Sequence, residues 1–207
     1  MFSPGILTFQ EFAMQEPLPL VTIQEAVLAF LRGRDDVAVF GAQAANAYVH
    51  EARMTQDIDL VSPRAEALAE ELQDYLSERF HIAVRMQKVG NGRGFRVDQV
   101  RKEGNRHLVD VQSVETMPET HMIANVLVTA PVDLLAYKVI AYAQRRGSPK
   151  SGTDWRDIAM LLLRFPELKC DPGPVTERLK ESGAEEGVLE VWRGFVEQEI
   201  SAEDEEY

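Results

Sequence analysis

The chain has 207 residues, of which 45% are apolar and 27% are charged. This balance excludes disordered and fibrous proteins, and a chain of this length can bury a core without disulfides or a structural metal. The single cysteine, Cys170, cannot form an internal disulfide. No uncharged run reaches the roughly 18 residues of a membrane span, and the first residues lack the basic patch of a signal peptide. We therefore predict a cytoplasmic protein that has no membrane partner.

The formal net charge of −12 is unevenly distributed along the chain. Residues 151–207 carry 6 basic and 15 acidic side chains, so the first 150 residues are close to neutral. Residues 79–106 hold eight basic side chains against Asp98 and Glu103. This basic segment predicts contact with a polyanion such as RNA, although solvated strand faces would explain it equally well.

Hydrophobic periodicity and turn residues predict the elements of the first 80 residues. After an irregular lead-in over 1–19, a helix begins at the capping box Thr22–Glu25 and ends near Gly33. The predicted elements that follow are a strand over 36–40, a turn at Gly41, a helix over 42–50, a strand over 56–61 and a helix over 64–80.

The apolar period then changes to two, which predicts a three-stranded meander. Its strands cover 81–89, 95–101 and 106–114, and an edge strand follows over 122–128. The rest is predicted to be helical, with helices over 131–146, 153–164, 174–182 and 184–200, a loop over 147–152 and an acidic tail over 201–207. The fold class is therefore α+β, with a core over 20–130 and a helical part over 131–200.

Two carboxylates on the second predicted strand are the first candidates for chemistry. Asp57 and Asp59 are two residues apart, so both side chains leave the same face of a strand. Two anions this close favour a cation between them, and Mg²⁺ accepts carboxylates together with phosphate oxygens. For an arbitrary Asp-x-Asp, simple solvation is the alternative interpretation.

A third carboxylate is predicted on the last strand of the meander. Asp110 shares a face with Leu108 and Gln112, and an acid among apolar residues is costly to bury without a partner. Asp98 competes for this place, but it is flanked by Arg96 and Arg101, and an ordinary cross-strand ion pair would explain it. We favour Asp110.

The order of these residues resembles a known family. A glycine turn and helix followed by Asp-x-Asp is similar to the DNA polymerase β-like nucleotidyltransferase superfamily. The resemblance is stronger to the AbiEii/AbiGii toxin-like nucleotidyltransferases, whose pattern is matched here by Gly41, Ala44, Arg53, Thr55, Asp57, Ile58, Asp59 and Leu60. That family also has a lysine on a later helix and an Asp-x-x-Asp on the next, which Lys138, Asp154 and Asp157 match.

The resemblance implies a nucleotidyltransferase-type mixed β-sheet flanked by helices, and it implies roles for the matching residues. Asp57, Asp59 and Asp110 would be catalytic and would hold Mg²⁺ or Mn²⁺. The residues expected to bind nucleotide are Gly41, Ala42, Arg53, Thr55 and Lys138. Asp154 and Asp157 would orient Lys138 and Arg53, unless they are only acids in the first turn of a helix.

The function implied is transfer of a nucleoside monophosphate from NTP to an RNA or protein acceptor. A toxin of a toxin–antitoxin pair, with an antitoxin protein as partner, is compatible with this activity. The alternative is a non-catalytic member of the fold that binds a nucleotide or a partner. Ala42 favours the alternative, since this superfamily usually has a glycine or serine there, and alanine has no hydroxyl to offer a phosphate.

Overall fold

The computed structural model describes residues 18–201. Within them, residues 18–47 and 51–129 form one compact unit, and residues 48–50 and 130–201 form a second. The predicted lead-in over 1–17 and the acidic tail over 202–207 lie outside the described residues. No helix in the described part of the chain is long and apolar enough to cross a membrane.

The first unit is built on a mixed seven-stranded sheet. Its strands are β1 (Ala38–Phe40), β2 (Ile58–Ser62), β3 (Val84–Val89), β4 (Gly94–Gln99), β5 (Arg106–Ser113), β6 (Thr120–Ile123) and β7 (Val126–Thr129). Their order across the sheet is β3-β4-β5-β2-β1-β7-β6. The pairs β2–β5 and β1–β7 are parallel and the others are antiparallel. The predicted meander is therefore confirmed as β3-β4-β5.

The helices of the first unit are α1 (Leu20–Leu31), α2 (Gly41–Tyr48, whose last residue belongs to the second unit) and α3 (Ala65–Phe80). Helix α3 packs on β2, β3, β4 and β5, and α1 packs on α3, β5 and β7. Ile58, Leu60, Val109 and Val111 are fully buried in the sheet. Burying these aliphatic side chains contributes about 1.5–3 kcal/mol each, and it fixes which face of β2 and β5 points away from the core.

The second unit contains four helices, α4 (Pro131–Gln144), α5 (Pro149–Arg164), α6 (Pro174–Glu181) and α7 (Glu186–Glu197). Helix α4 packs against the other three. Asp133 on α4 is buried and pairs with Arg178 of α6. Trp192 is fully buried and donates its indole N–H to Thr176 Oγ1 at 3.1 Å. These contacts join α4, α6 and α7.

Three predicted elements differ from the structure. Thr22 does not cap α1, because the helix already begins at Leu20 and the Thr22 amide donates to the Pro19 carbonyl. The edge strand predicted over 122–128 is the β6–β7 hairpin, since Ala124 and Asn125 adopt the positive φ angles of a tight turn. Helix α5 begins at Pro149, so most of the predicted loop over 147–152 is helical.

Candidate metal centre

The turn between β1 and α2 brings the backbone against Asp59. Gly41 has a φ of +65°, which glycine adopts without steric cost, and α2 begins at this residue. Phe40, the last residue of β1, is paired in register with Asp59 of β2. A Cβ atom built on Gly41 would lie 2.0 Å from Asp59 Oδ2. Only glycine therefore allows this turn to touch the carboxylate.

Two of the three predicted carboxylates lie side by side in the sheet. Asp59 and Asp110 are directly in register on the parallel strands β2 and β5. Their chain neighbours Ile58, Leu60 and Val109 are fully buried, so alternation places both acids on the opposite face. Asp57 precedes β2, which begins at Ile58. The prediction that Asp57 and Asp59 share a strand face assumed that both lie in the strand, but the strand begins one residue after Asp57.

A β-bulge brings a residue that the sequence did not predict to these acids. Between β4 and β5, Val97 pairs with Val109 and Asp98 pairs with His107, so Leu108 is an extra residue on β5. Such a bulge reverses the alternation of the side chains beyond it. His107 consequently lies on the same side as Asp110, and its Nε2 is 3.0 Å from Asp110 Oδ1. The predicted face shared by Asp110 and Leu108 is wrong for this reason.

His107 bridges two of the carboxylates. Its Nδ1 lies 3.1 Å from Asp57 Oδ2, while its Nε2 faces Asp110. Burial disfavours the charged imidazolium, but hydrogen bonds and charge–charge attraction from Asp110 and Asp57 outweigh it and raise the pKa of His107 to about 9. Without a metal, a protonated His107 therefore neutralises part of the acidic cluster at neutral pH.

Arg96 on β4 supplies the second cation of the cluster. Its Nε and Nη2 donate to the two oxygens of Asp110, both at 3.0 Å. Burial would raise the pKa of Asp110, but the hydrogen bonds from His107 and Arg96 lower it to about 2. The cross-strand ion pair expected at Asp98 is made with Arg85 of β3, not with the flanking Arg96. Asp98 is buried and instead accepts from Gln87, with Arg85 at 3.8 Å.

The arrangement has the donor set of a divalent cation site. One ligand atom each from Asp57, His107 and Asp110 lie within 4.8 Å of one another. Nε2 of His107 is buried, and its 3.0 Å contact with Asp110 is poorly aligned for a hydrogen bond. A buried ring nitrogen in this position between carboxylates is a fitting metal ligand. Asp59, in register with Asp110, can add a further oxygen from the same face.

The loop that carries Arg53 and Thr55 is fixed to α2. Asn46 is buried, donates to the Arg53 carbonyl at 2.7 Å and accepts from the Arg53 amide at 3.1 Å. Thr55 donates its hydroxyl to Gln43 Oε1 at 3.3 Å, and its carbonyl accepts from Gln24 at 3.1 Å. Three side chains from α1 and α2 thus hold the segment that leads into Asp57.

Lys138, Asp154 and Asp157 form a buried charge cluster in the second unit. Lys138 Nζ on α4 donates to Asp157 Oδ2 at 2.7 Å and lies 3.6 Å from Asp154 Oδ1, both on α5. Arg145 donates to the other oxygen of Asp154 at 3.0 Å. Since α5 begins at Pro149, the acids are not in its first turn and the helix-dipole alternative does not hold. Both acids therefore pair with Lys138.

The basic segment over 79–106 is partly neutralised within the first unit. Arg96 is bound to Asp110, Lys88 lies 2.7 Å from Glu66, and Arg85 approaches Asp98. Arg106 donates to the Leu18 carbonyl at 3.0 Å. Fewer charges than the sequence suggested therefore remain for an RNA backbone.

The comparison with protein families decides the assignment. The family model described as "Nucleotidyl transferase AbiEii toxin, Type IV TA system" matches residues 33–204. The chain belongs to the AbiEii nucleotidyltransferase family. A search of curated proteins finds no match to the sequence. The resemblance predicted from the Gly41–Asp59 pattern is thereby confirmed.

Solved structures show the same fold at low identity. The Megavirus polyadenylate synthase matches with a TM-score of 0.62 and 17% identity, over 78% of this chain and 35% of that one. This chain thus spans about a third of the length of that synthase. JHP933 from Helicobacter pylori matches with a TM-score of 0.53 and 12% identity, over 92% of both chains. The predicted α+β fold with a nucleotidyltransferase-type mixed sheet and a helical C-terminal part is confirmed.

Sequence reasoning missed three residues of this site, namely His107, Arg96 and Asn46. The sequence carried no visible signal for the bulge that turns His107, and Arg96 was considered only as a neighbour of Asp98 in the chain. Asn46 could have been found, because a polar residue among the alanines of a buried helix needs partners.

Proposed function

We propose that the protein is a metal-dependent nucleotidyltransferase that moves a nucleoside monophosphate from NTP to an RNA or protein acceptor, and that it acts as the toxin of a toxin–antitoxin pair. The observation that carries the proposal is the alignment of Asp59 with Asp110 on parallel strands, next to the Gly41 turn and with Asp57 near Asp110 through His107. Family membership over residues 33–204 supports it. We keep 20–130 as the proposed nucleotidyltransferase core and 131–200 as its helical part.

In this proposal Asp57, Asp59 and Asp110 hold Mg²⁺ or Mn²⁺, which would supply activation of the acceptor hydroxyl and neutralisation of the leaving pyrophosphate. The protein's own contribution is to keep Asp110 ionised and the carboxylates aligned. Arg96 fixes both oxygens of Asp110, and the buried strands fix the register of Asp59 beside it. Preorganisation of this kind spares the active site from rearranging during the reaction.

The proposed nucleotide-binding residues are Gly41, Ala42, Arg53, Thr55 and Lys138. Gly41 and Ala42 open α2, where backbone amides without helical partners can face a phosphate. Arg53 and Thr55 lie on the loop that Asn46 and Gln43 anchor. For Lys138, the ion pair with Asp157 sets the orientation of the ammonium group, and contact with the triphosphate is part of the proposal.

Incubation with each α-labelled NTP, with Mg²⁺ or Mn²⁺, and with total RNA or total protein tests the function. We expect label to appear in one acceptor pool only when metal is present. The Asp59→Asn variant should lose the transfer while keeping its fold. Absence of transfer for all four nucleotides with both metals and both pools would contradict the enzymatic proposal.

A second candidate function is binding of a nucleotide or a partner without catalysis. Ala42 favours it, because the second residue of α2 offers no hydroxyl to a phosphate. Under this alternative NTP binds but no label is transferred, and Ala42→Ser does not create activity. A toxin, in contrast, should arrest growth when expressed, and Asp59→Asn should relieve the arrest.

A further inference from the structure

We infer that His107 is itself a metal ligand and that it makes this site select Mn²⁺ over Mg²⁺. The inference deepens the proposed function, since it concerns the cation of the same carboxylate cluster. It rests on three features of the first unit, namely a backbone irregularity, two short contacts of the imidazole and a buried ring nitrogen that is poorly aligned for a hydrogen bond. It also rests on the ligand preferences of the two ions.

The backbone irregularity is the bulge at Leu108. In a regular strand, His107 would share a face with Val109 and Val111, which are fully buried. Because Leu108 is an extra residue between the pairs Val97–Val109 and Asp98–His107, the imidazole lies instead with Asp110. Bulges are common beside active sites, where they redirect a side chain at the expense of ladder hydrogen bonds.

The contact with Asp110 has the spacing of two ligands of one ion, whereas the contact with Asp57 is made by the other ring nitrogen and orients the imidazole. Nε2 of His107 lies 3.0 Å from Asp110 Oδ1, and Nδ1 lies 3.1 Å from Asp57 Oδ2. Adjacent ligands in an octahedron with bonds of about 2.1 Å are about 3 Å apart. Nε2 is buried, and its 3.0 Å contact with Asp110 Oδ1 is poorly aligned for a hydrogen bond, so a cation bound by both atoms would satisfy the nitrogen better than the carboxylate alone.

The ligand types distinguish the two cations. Mg²⁺ takes oxygen ligands and holds several waters, so a nitrogen ligand adds little to its affinity. Imidazole nitrogen suits transition-metal ions, while carboxylate and phosphate oxygens still suit Mn²⁺. A set of two carboxylates and one imidazole therefore favours Mn²⁺ over Mg²⁺.

The rival interpretation makes His107 only a counter-ion for Asp57 and Asp110, together with Arg96. The two interpretations predict opposite effects on Mn²⁺ affinity when His107 is removed. If His107 is a ligand, its removal weakens Mn²⁺ binding and leaves Mg²⁺ binding almost unchanged. If it is a competing cation, its removal strengthens the binding of both metals, because the carboxylates lose a positive neighbour.

The test is a Mn²⁺ titration of the full chain without a histidine tag, followed by the electron paramagnetic resonance of free Mn²⁺ and by displacement with Mg²⁺. We expect His107→Asn to weaken Mn²⁺ binding by about tenfold or more and to change Mg²⁺ binding by less than about twofold. His121→Asn is the matched control, because His121 is exposed on β6, four strands from β5 in the same sheet. It should leave both affinities unchanged.

Spin-echo modulation of the bound Mn²⁺ gives a readout that needs no variant. Imidazole coordination produces ¹⁴N modulation in the unsubstituted protein and in His121→Asn, and this modulation should vanish in His107→Asn. Absence of ¹⁴N modulation, tighter binding of both metals by His107→Asn, or no Mn²⁺ binding at millimolar concentration would each overturn the inference. A protein with ¹⁴N modulation but no nucleotide transfer would retain this ligand and refute the proposed function instead.

Discussion

The contact between Gly41 and Asp59 leads to a prediction whose size can be worked from the structure. In Gly41→Ala the new Cβ would lie 2.0 Å from Asp59 Oδ2, 2.8 Å from its Cγ and 2.9 Å from its Cβ. Contact distances between such atoms are about 3.5 Å, so the carboxylate must move by more than about 1 Å. It cannot do so freely, because its strand is paired with β1 and β5 in fixed register.

Two costs add in this variant. A φ of +65° costs an alanine about 1–2 kcal/mol, and overpacking costs about 1–3 kcal/mol more. Gly90→Ala separates them, because Gly90 has a φ of +57° but no heavy atom of residues 18–201 lies within 4 Å of the built Cβ. We expect Gly90→Ala to show only the first cost, and Gly41→Ala to show both together with a loss of metal affinity.

Urea unfolding and Mn²⁺ or Mg²⁺ titration of the two variants provide the assay. The free energy of unfolding should fall by about 1–2 kcal/mol in Gly90→Ala and by about 2–5 kcal/mol in Gly41→Ala. Metal affinity should fall only in Gly41→Ala. If the two variants unfold alike and bind metal like the unsubstituted protein, the turn does not position Asp59 and the reasoning is refuted.

Three further predictions concern other parts of the molecule. The pKa of His107 is raised from 6.5 to about 9, so its contribution to stability is present below pH 6.5 and is lost as the pH rises through 9. The pKa of Asp110 is lowered from 3.8 to about 2, so its contribution is present above pH 3.8 and is lost as the pH falls through 2. Thermal unfolding across pH, compared with His107→Asn, should show the alkaline loss only in the unsubstituted protein. Asn46→Ala should lower the free energy of unfolding by about 1–3 kcal/mol, because the backbone of Arg53 loses both hydrogen bonds to this side chain. It should also weaken NTP binding and expose residues 49–57 to limited proteolysis. Unchanged cleavage would argue against the anchoring role. Lys138→Met should lower the free energy of unfolding in urea by about 3–5 kcal/mol, and adding Asp157→Leu should restore most of it, because the carboxylate that lost its ammonium partner is then removed. No restoration would contradict the pairing.

The sequence predicted the parts of this structure that depend on local patterns. The meander, the helix after Gly41 and the position of α3 follow from periodicity and turn residues, which act over a few neighbours. The acid among apolar residues on the last strand of the meander singled out Asp110, and the structure places it beside Asp59. These features could be predicted because each is encoded within a short segment.

Non-local contacts account for what could not be predicted. The bulge at Leu108 arises from the pairing of β5 with β4 and changes which residues share a face, so strict alternation excluded His107. The sequence alone does not tell whether Arg96 pairs with Asp98 or with Asp110. The register of β4 and β5, which places Arg96 opposite Asp110, decides between them. The turn at Ala124 and Asn125 was missed because neither residue requires a positive φ.

Substitution of Asp57 by asparagine, with nucleotide transfer and melting temperature measured on the same protein, tests the central claim most directly. Asp57→Asn keeps the shape and removes one charge from a cluster of three carboxylates, so we expect a stable fold and a loss of transfer by orders of magnitude. Asp98→Asn, at the rival carboxylate, should retain the transfer in any protein that folds. A stable Asp57→Asn variant that transfers nucleotide as fast as the unsubstituted protein would contradict the assignment of this cluster to catalysis.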